Sequence, residues 1–251
     1  MIVFGITDKG KVRRINQDSF RQYIAEDGSV AVVVLCDGMG GGKCGEVASA
    51  IASQAFEERA LALLAENGER ELAEVARKAA AYANEQVYNR SYRDESCAGM
   101  GTTLVAAIVR GANAAVVNIG DSRCYWLADG SILQVTRDHS MVQELVDKGL
   151  LTAGEARVHP RKNIIMRALG IESTIRSDVF RLELKAGDTL LLCSDGLSNL
   201  FLEEELRERL DSPATIEEIG RGLMAEALQR GAPDNVTVLL MRGTQDTVGV
   251  Q

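Results

Sequence analysis

Two apolar runs in this chain end on the same dipeptide. Residues 31–36 lead into Asp37-Gly38, and residues 190–194 lead into Asp195-Gly196. A buried strand is rigid, so a carboxylate at its end is held in the fixed geometry that an ion requires. Glycine after each aspartate permits a sharp turn and a close approach to an ion. Taken singly, each pair reads equally as an ordinary Asp-Gly turn. Three more aspartates stand in comparable settings: Asp18 after Arg13-Arg14-Ile15-Asn16-Gln17, Asp121 in Gly120-Asp121-Ser122-Arg123, and Asp234 in Pro233-Asp234-Asn235-Val236-Thr237. Five carboxylates sharing one site repel one another and take up protons unless cations hold them. Oxygen ligands completed by water suit hard ions such as Mg²⁺ or Mn²⁺. Two such ions about 3.5–4 Å apart clamp a nucleophilic oxygen and a phosphoryl oxygen together.

The elements that must position these residues follow from periodicity. Residues 2–7, 19–24 and 30–36 read as strands. A helix over 45–66 has Val47, Ala48, Ile51, Ala52, Ala55 and Phe56 on one face. A second, over about 70–92, repeats Leu72, Val75, Ala76, Ala79, Ala80, Ala83 and Val87 at helical spacing. Strands return at 102–109, 113–119, 123–128 and 131–136, with hairpin chemistry at Ala128-Asp129-Gly130-Ser131. Residues 139–170 read as short helices and loops. Strands at 177–184 and 188–194, helices at about 203–210 and 215–230, and a strand at 235–241 complete the chain. The strands cluster rather than alternating with helices, which favours an α+β arrangement of antiparallel sheets covered by helices over a doubly wound parallel sheet.

The bulk numbers bound the partners. With 251 residues, 46% of them apolar, the chain can bury a sizeable core, and one domain over 1–251 is the simplest reading. A net charge of -8 opposes nonspecific binding to nucleic acid or an anionic membrane. No run is long enough to span a membrane and the N-terminus lacks signal-peptide character, so a cytoplasmic location is expected. Cys36, Cys44, Cys97, Cys124 and Cys193 are odd in number and form no CxxC pair, so neither a disulfide framework nor a zinc site is expected.

The motifs Arg-x-x-Asn-Gln-Asp (13–18), Asp-Gly-Met-Gly-Gly (37–41), Gly-Met-Gly-Thr-Thr (99–103), Gly-Asp-Ser-Arg (120–123), Ser-Asp-Gly-Leu (194–197) and Asp-Asn-Val-Thr (234–237) occur in this order. The set resembles the metal-dependent Ser/Thr protein phosphatase family, type 2C, and its bacterial branch in particular. Any one motif is weak; six in family order are specific and cover nearly the whole chain. The resemblance implies two stacked antiparallel sheets flanked by helices, an α-β-β-α sandwich. It implies hydrolysis of phosphoserine or phosphothreonine on proteins by direct attack of a metal-bridging water, without a covalent phosphoenzyme. Carried over by position, Asp37 would bridge two ions and the Gly38 carbonyl would bind the second. Asp195 and Asp234 would bind the first, and Asp18 would hold metal-bound water. Asp121 with Asp195 would bind a third, weaker ion. Arg13 would grip the substrate phosphate through its guanidinium fork, with Arg14 as the alternative. The resemblance also implies phosphoprotein substrates, a cognate Ser/Thr kinase and a monomeric enzyme.

The sequence departs from the family in places. Met39 stands where eukaryotic relatives have a histidine that donates the leaving-group proton, and Gly42 stands where many bacterial relatives have another. Only His139 and His159 remain. Either a metal-bound water or His159 then supplies the proton, and His139 reads as a turn residue. Gln17 replaces a metal-binding glutamate of animal relatives, which predicts weaker binding of the second ion. Residues 139–170 correspond to the family's flap. Arg157, Arg161 and Lys162 there either steer phosphoprotein substrates or form a solvated loop. Two other classes compete: a catalytically silent partner-binding module, opposed by the presence of every expected aspartate, and a different two-metal hydrolase such as a phosphodiesterase or nuclease, opposed by the scarcity of histidine and of basic surface.

Overall fold

The computed structural model describes residues 1–39, 44–66 and 70–244. Strands are numbered along the chain. One antiparallel sheet has the order β1 (Ile2–Asp8), β11 (Val236–Arg242), β10 (Thr189–Cys193), β7 (Arg123–Ala128), β8 (Ser131–Gln134). The other has the order β2 (Asp18–Ile24), β3 (Val30–Met39), β5 (Leu104–Arg110), β6 (Asn113–Ile119), β9 (Asp178–Glu183), and a two-residue strand β4 (Gly101–Thr102) pairs with the end of β3. Every named pairing is antiparallel.

The two sheets stack face to face. Val33, Leu35, Val105, Ala107 and Val116 meet Leu190, Leu192, Leu239 and Met241 between them. The alternate residues Val32, Val34 and Cys36 face helices α1 (Gly45–Glu66) and α2 (Leu72–Arg93) on the outer side. β3 is therefore apolar on both faces, which is why residues 31–36 form an unbroken apolar run rather than an alternating one. Helices α6 (Glu203–Leu210) and α7 (Ile216–Gln229) cover the other sheet through Leu206, Leu210, Ile219, Leu223 and Ala227. The layers run helix, sheet, sheet, helix, as expected from the element order and the resemblance. Residues 139–170 hold two short helices, α3 (Met141–Asp147) and α4 (Ala153–Val158), each capped by a hydroxyl, Ser140 and Thr152.

Three expectations need correction. β3 does not stop at Asp37 but continues to Met39, because β4 supplies a partner for Gly38 and Met39. Asp195 does not end a strand in a turn; it opens a short helix, α5 (Asp195–Ser198). Cys44 and Cys97 form a disulfide with their Cα atoms 5.4 Å apart. Parity misled because Cys36, Cys124 and Cys193 are buried free thiols of the core, which leaves one pair. A separation of 53 residues carries no local signal. The expectation for Gly42 falls among residues 40–43, outside the described residues.

Candidate active site

The topology brings all five aspartates to one end of the stacked sheets. Asp18 begins β2 and sits directly opposite Asp37 of β3 in the antiparallel register. Asp195 follows β10 and Asp234 precedes β11, two neighbouring strands of the other sheet, at the same end. Asp121 lies in the turn between β6 and β7, where the chain passes from one sheet to the other. A cavity of about 310 Å³ opens there, walled by Arg13, Asp37, Gly38, Asp121, Asp195 and Asp234. Asp18 is buried and does not line it.

Neutral groups lock these carboxylates in place. The Asp37 N–H donates to Thr103 Oγ1 at 2.9 Å, and its carbonyl accepts from Thr102 Oγ1 at 2.9 Å and from the Thr103 N–H at 2.9 Å. This is the local task of the Gly-Met-Gly-Thr-Thr stretch. Asp18 Oδ2 accepts from Thr237 Oγ1 at 2.6 Å and from Ser194 Oγ at 2.8 Å. Asn235 is buried; it accepts from the Gln17 N–H and donates to the Lys9 and Ile15 carbonyls, so it fixes the loop that carries Arg13 beside Asp234. Neither Gly38 nor Gly196 has a left-handed backbone. Each is needed for close approach instead: a Cβ on Gly38 would stand 2.0 Å from the Gly45 carbonyl oxygen, and one on Gly196 would stand 1.9 Å from that of Asn235. Thr102, Thr103, Ser194, Thr237 and Asn235 were not singled out from sequence. All five lie inside the family motifs, which was the available signal.

The electrostatics are those of a site short of positive charge. Burial, followed by the charges of Asp18, Asp195, Asp121 and Asp234, pushes the Asp37 carboxyl well above the usual range. Burial raises Asp18 to about 6 against the pull of its two hydroxyl donors. Asp195 is raised to about 6 by burial and Asp234, with Lys162, Arg13 and Arg123 pulling the other way. Asp121 is raised to about 8 by burial, Asp195 and Asp138. Asp18 Oδ1 is buried with no hydrogen-bond partner. Among the described residues no three Asp, Glu, His or Cys side chains gather tightly enough to hold an ion alone. That agrees with small divalent ions, which keep several waters and take one or two carboxylates each. Clustered, mutually repelling all-oxygen donors with an orphaned acceptor beneath them fit such ions.

The remaining expected residues divide. Arg13 donates to Asp234 Oδ2 at 2.7 Å, lines the cavity and is about half exposed. Gln17 lines the cavity, and its amide approaches Glu46 Oε2 at 3.4 Å. His139 is buried; its Nδ1 accepts from the Gly120 N–H, next to Asp121, and its Nε2 faces Asp178 at 3.3 Å. It is a structural turn residue, as expected. His159 lies outside the cavity, its Nδ1 accepting from the Arg161 N–H. Arg161 is exposed and lines no wall of the cavity. From the same cationic run, Lys162 reaches Asn199 at 3.0 Å and its charge acts on Asp195.

Comparison with known proteins places this geometry. The model of the protein phosphatase 2C family matches residues 10–230. The serine/threonine phosphatase stp of Listeria monocytogenes is 40% identical over 239 residues, covering 94% of this chain and 93% of that protein. The crystal structure of the Mycobacterium tuberculosis serine/threonine phosphatase PstP/Ppp superposes with a TM-score of 0.86 at 37% identity, covering 97% of this chain and 99% of that one. The catalytic domain of a PstP solved in complex with two manganese ions gives 0.81 at 37% identity, covering 95% and 96%. On the family model's match over most of its length and the identity to these phosphatases, the chain belongs to the protein phosphatase 2C family.

Proposed function

We propose that this chain is a metal-dependent serine/threonine protein phosphatase that hydrolyses phosphoserine and phosphothreonine on proteins. The observation that carries this is the convergence of Asp37, Asp121, Asp195 and Asp234 on one cavity, with Asp18 buried beside Asp37 and a half-exposed arginine, Arg13, in the cavity wall. Asp37, the Gly38 carbonyl, Asp195 and Asp234 are the residues to hold two divalent ions, Mn²⁺ or Mg²⁺, and Asp121 with Asp195 a third. When bound, such ions supply a water nucleophile at neutral pH and neutralise phosphoryl charge. Asp18, fixed by Thr237 and Ser194, would offer its unpartnered Oδ1 to water held at these ions. Arg13 exchanges its contact with Asp234 for two oxygens of the substrate phosphate. Met39 lines the cavity and cannot donate a proton, and His159 does not line it. The departing alkoxide therefore takes its proton from water in the cavity.

The reading extends to one catalytic domain over the chain, with residues 139–170 as a flap whose Arg157 donates to the Ser198, Asn199 and Phe201 carbonyls. Phosphoproteins and a partner Ser/Thr kinase are its expected company, as a monomer in the cytoplasm. Among the described residues no helix is long and apolar enough to cross a membrane. The test is phosphate release from a phosphothreonine peptide with and without Mn²⁺, for the wild type and Asp195→Asn. Metal-dependent release that the variant loses supports the reading. Absence of release from folded, metal-loaded wild type across several phosphopeptides overturns it in favour of a binding module.

A further inference from the structure

Two hollows lead away from the cavity, and they differ in chemistry. One, of about 340 Å³, shares Asp121, Asn163 and Asp195 with it and is lined with charge from Arg123, Asp138 and Glu203. The other, of about 430 Å³, shares Met39 and Ile165 with it; Met166, Ala168, Ile171 and Ile175 give it an apolar wall, and Arg167, Glu172, Thr174 and Arg176 a polar one. Met166 is 53% and Ile171 49% exposed. Apolar side chains gathered in the open beside a catalytic cavity mark a contact surface.

This basin is built rather than incidental. Gly101 lies against two of its walls: a Cβ there would stand 3.0 Å from Ile171 Cδ1 and 3.2 Å from Met39 Cε, so the missing side chain lets these two close together. Its wall is pinned at both ends by main-chain bonds. The Met141 N–H donates to the Ile164 carbonyl and the Met166 N–H to that of His139, while Leu169 and Thr102 exchange both bonds. The basin is thus preformed, as ligand pockets generally are.

Its register to the chemistry is set by β3. Asp37 and Met39 are two residues apart in one strand, so their side chains lie on the same face, roughly 7 Å apart along it. An extended substrate chain has the same repeat. With its phosphorylated residue at Asp37, the side chain two residues away lies over Met39.

We propose that this basin selects substrates, taking a bulky apolar side chain of the substrate polypeptide within two residues of the phosphorylated Ser or Thr. The proposal rests on the phosphatase reading above. Met39 lies to one side of Asp37 along β3, so the preference falls on one side of the phosphoresidue only. Burying about half of a leucine there predicts a gain of roughly tenfold.

The test is kcat/KM on phosphothreonine peptides carrying either Leu or Ser at each position within two residues of the phosphothreonine, with p-nitrophenyl phosphate as the small control substrate. The wild type is expected to favour Leu about tenfold at one position on one side. Met166→Asp and Ile171→Asp, at exposed positions, are expected to lose that preference with unchanged hydrolysis of p-nitrophenyl phosphate. Equal rates on all peptides, or a preference that survives both substitutions, overturns the proposal and leaves the phosphatase reading standing. Failure of the wild type on p-nitrophenyl phosphate and every peptide defeats the phosphatase reading itself. A wild-type dimer that Met166→Asp or Ile171→Asp converts to monomer makes the basin a contact between copies and overturns it as well.

Discussion

Thr237 donates to Asp18 and stands 2.7 Å from the Thr7 hydroxyl, which in turn accepts from the Asn16 amide. The Asp18 carboxylate is therefore fixed by a chain of neutral donors and is left without a counter-charge. Thr237→Val keeps the shape and removes the last link. Outer partners of metal sites commonly matter by 10–100-fold, so Mn²⁺ affinity or activity should fall by roughly that factor with little change in the fold. Calorimetric titration of Mn²⁺ measures this, and an unchanged affinity with unchanged activity counts against the role given to Asp18. The aspartates were legible in the sequence because carboxylates beside glycine at strand ends have a chemistry of their own. The hydroxyls were not, since serine and threonine are ordinary strand and turn residues until a partner brought from about 200 residues away shows what they hold. Asn235 is the same case: its three partners lie in the loop before β2.

Most strands and helices were readable from periodicity because they have at least one apolar face, and β3, β5, β10 and β11 are buried on both. The exceptions arose where a distant element completes a local one. β3 runs past Asp37 only because Gly101 and Thr102 reach it, and α5 begins on a residue that sequence assigns to a turn. The Asp-Gly glycines were assigned rightly as necessary but for another reason. They admit a neighbouring backbone rather than a special conformation. Gly196→Ala is thus expected to displace the Asn235 main chain and with it the loop of Arg13, lowering stability and activity together. Gly222, exposed in α7 with nothing near its Cβ position, behaves oppositely. Gly222→Ala should raise stability by about 0.5–1 kcal/mol, the usual difference in a helix interior. Thermal unfolding of the two variants side by side separates close approach from propensity, and a stabilised Gly196→Ala would refute the packing argument.

Over the whole molecule, the acidic cluster couples stability to protons and cations. Asp18 and Asp195 near 6 and Asp121 near 8 stand above the ordinary aspartate value of 3.8. Between about pH 4 and 8 the folded, metal-free protein holds protons that the unfolded chain has released, so its stability falls as pH rises through this window. His139, whose value burial lowers, acts in the opposite sense below its ordinary 6.5, one group against three. Unfolding temperature of the metal-free protein should therefore drop by several degrees between pH 5 and pH 8. Mn²⁺ should restore more at pH 8, where it no longer competes with protons. A flat profile would show that the carboxylates are not forced together as described. The position of β11 has a different kind of consequence. It lies between β1 and β10, with Ile2 opposite Arg242, and it brings Asp234 before it and Thr237 within it. During synthesis the first strand must wait for one of the last, so the ribosome has to release residue 242 before that sheet can close. A nascent chain carries Asp37 and Asp121 long before it carries the residues that complete their site. The phosphatase is therefore silent until β11 has emerged, and a product terminated before it is inert rather than unregulated.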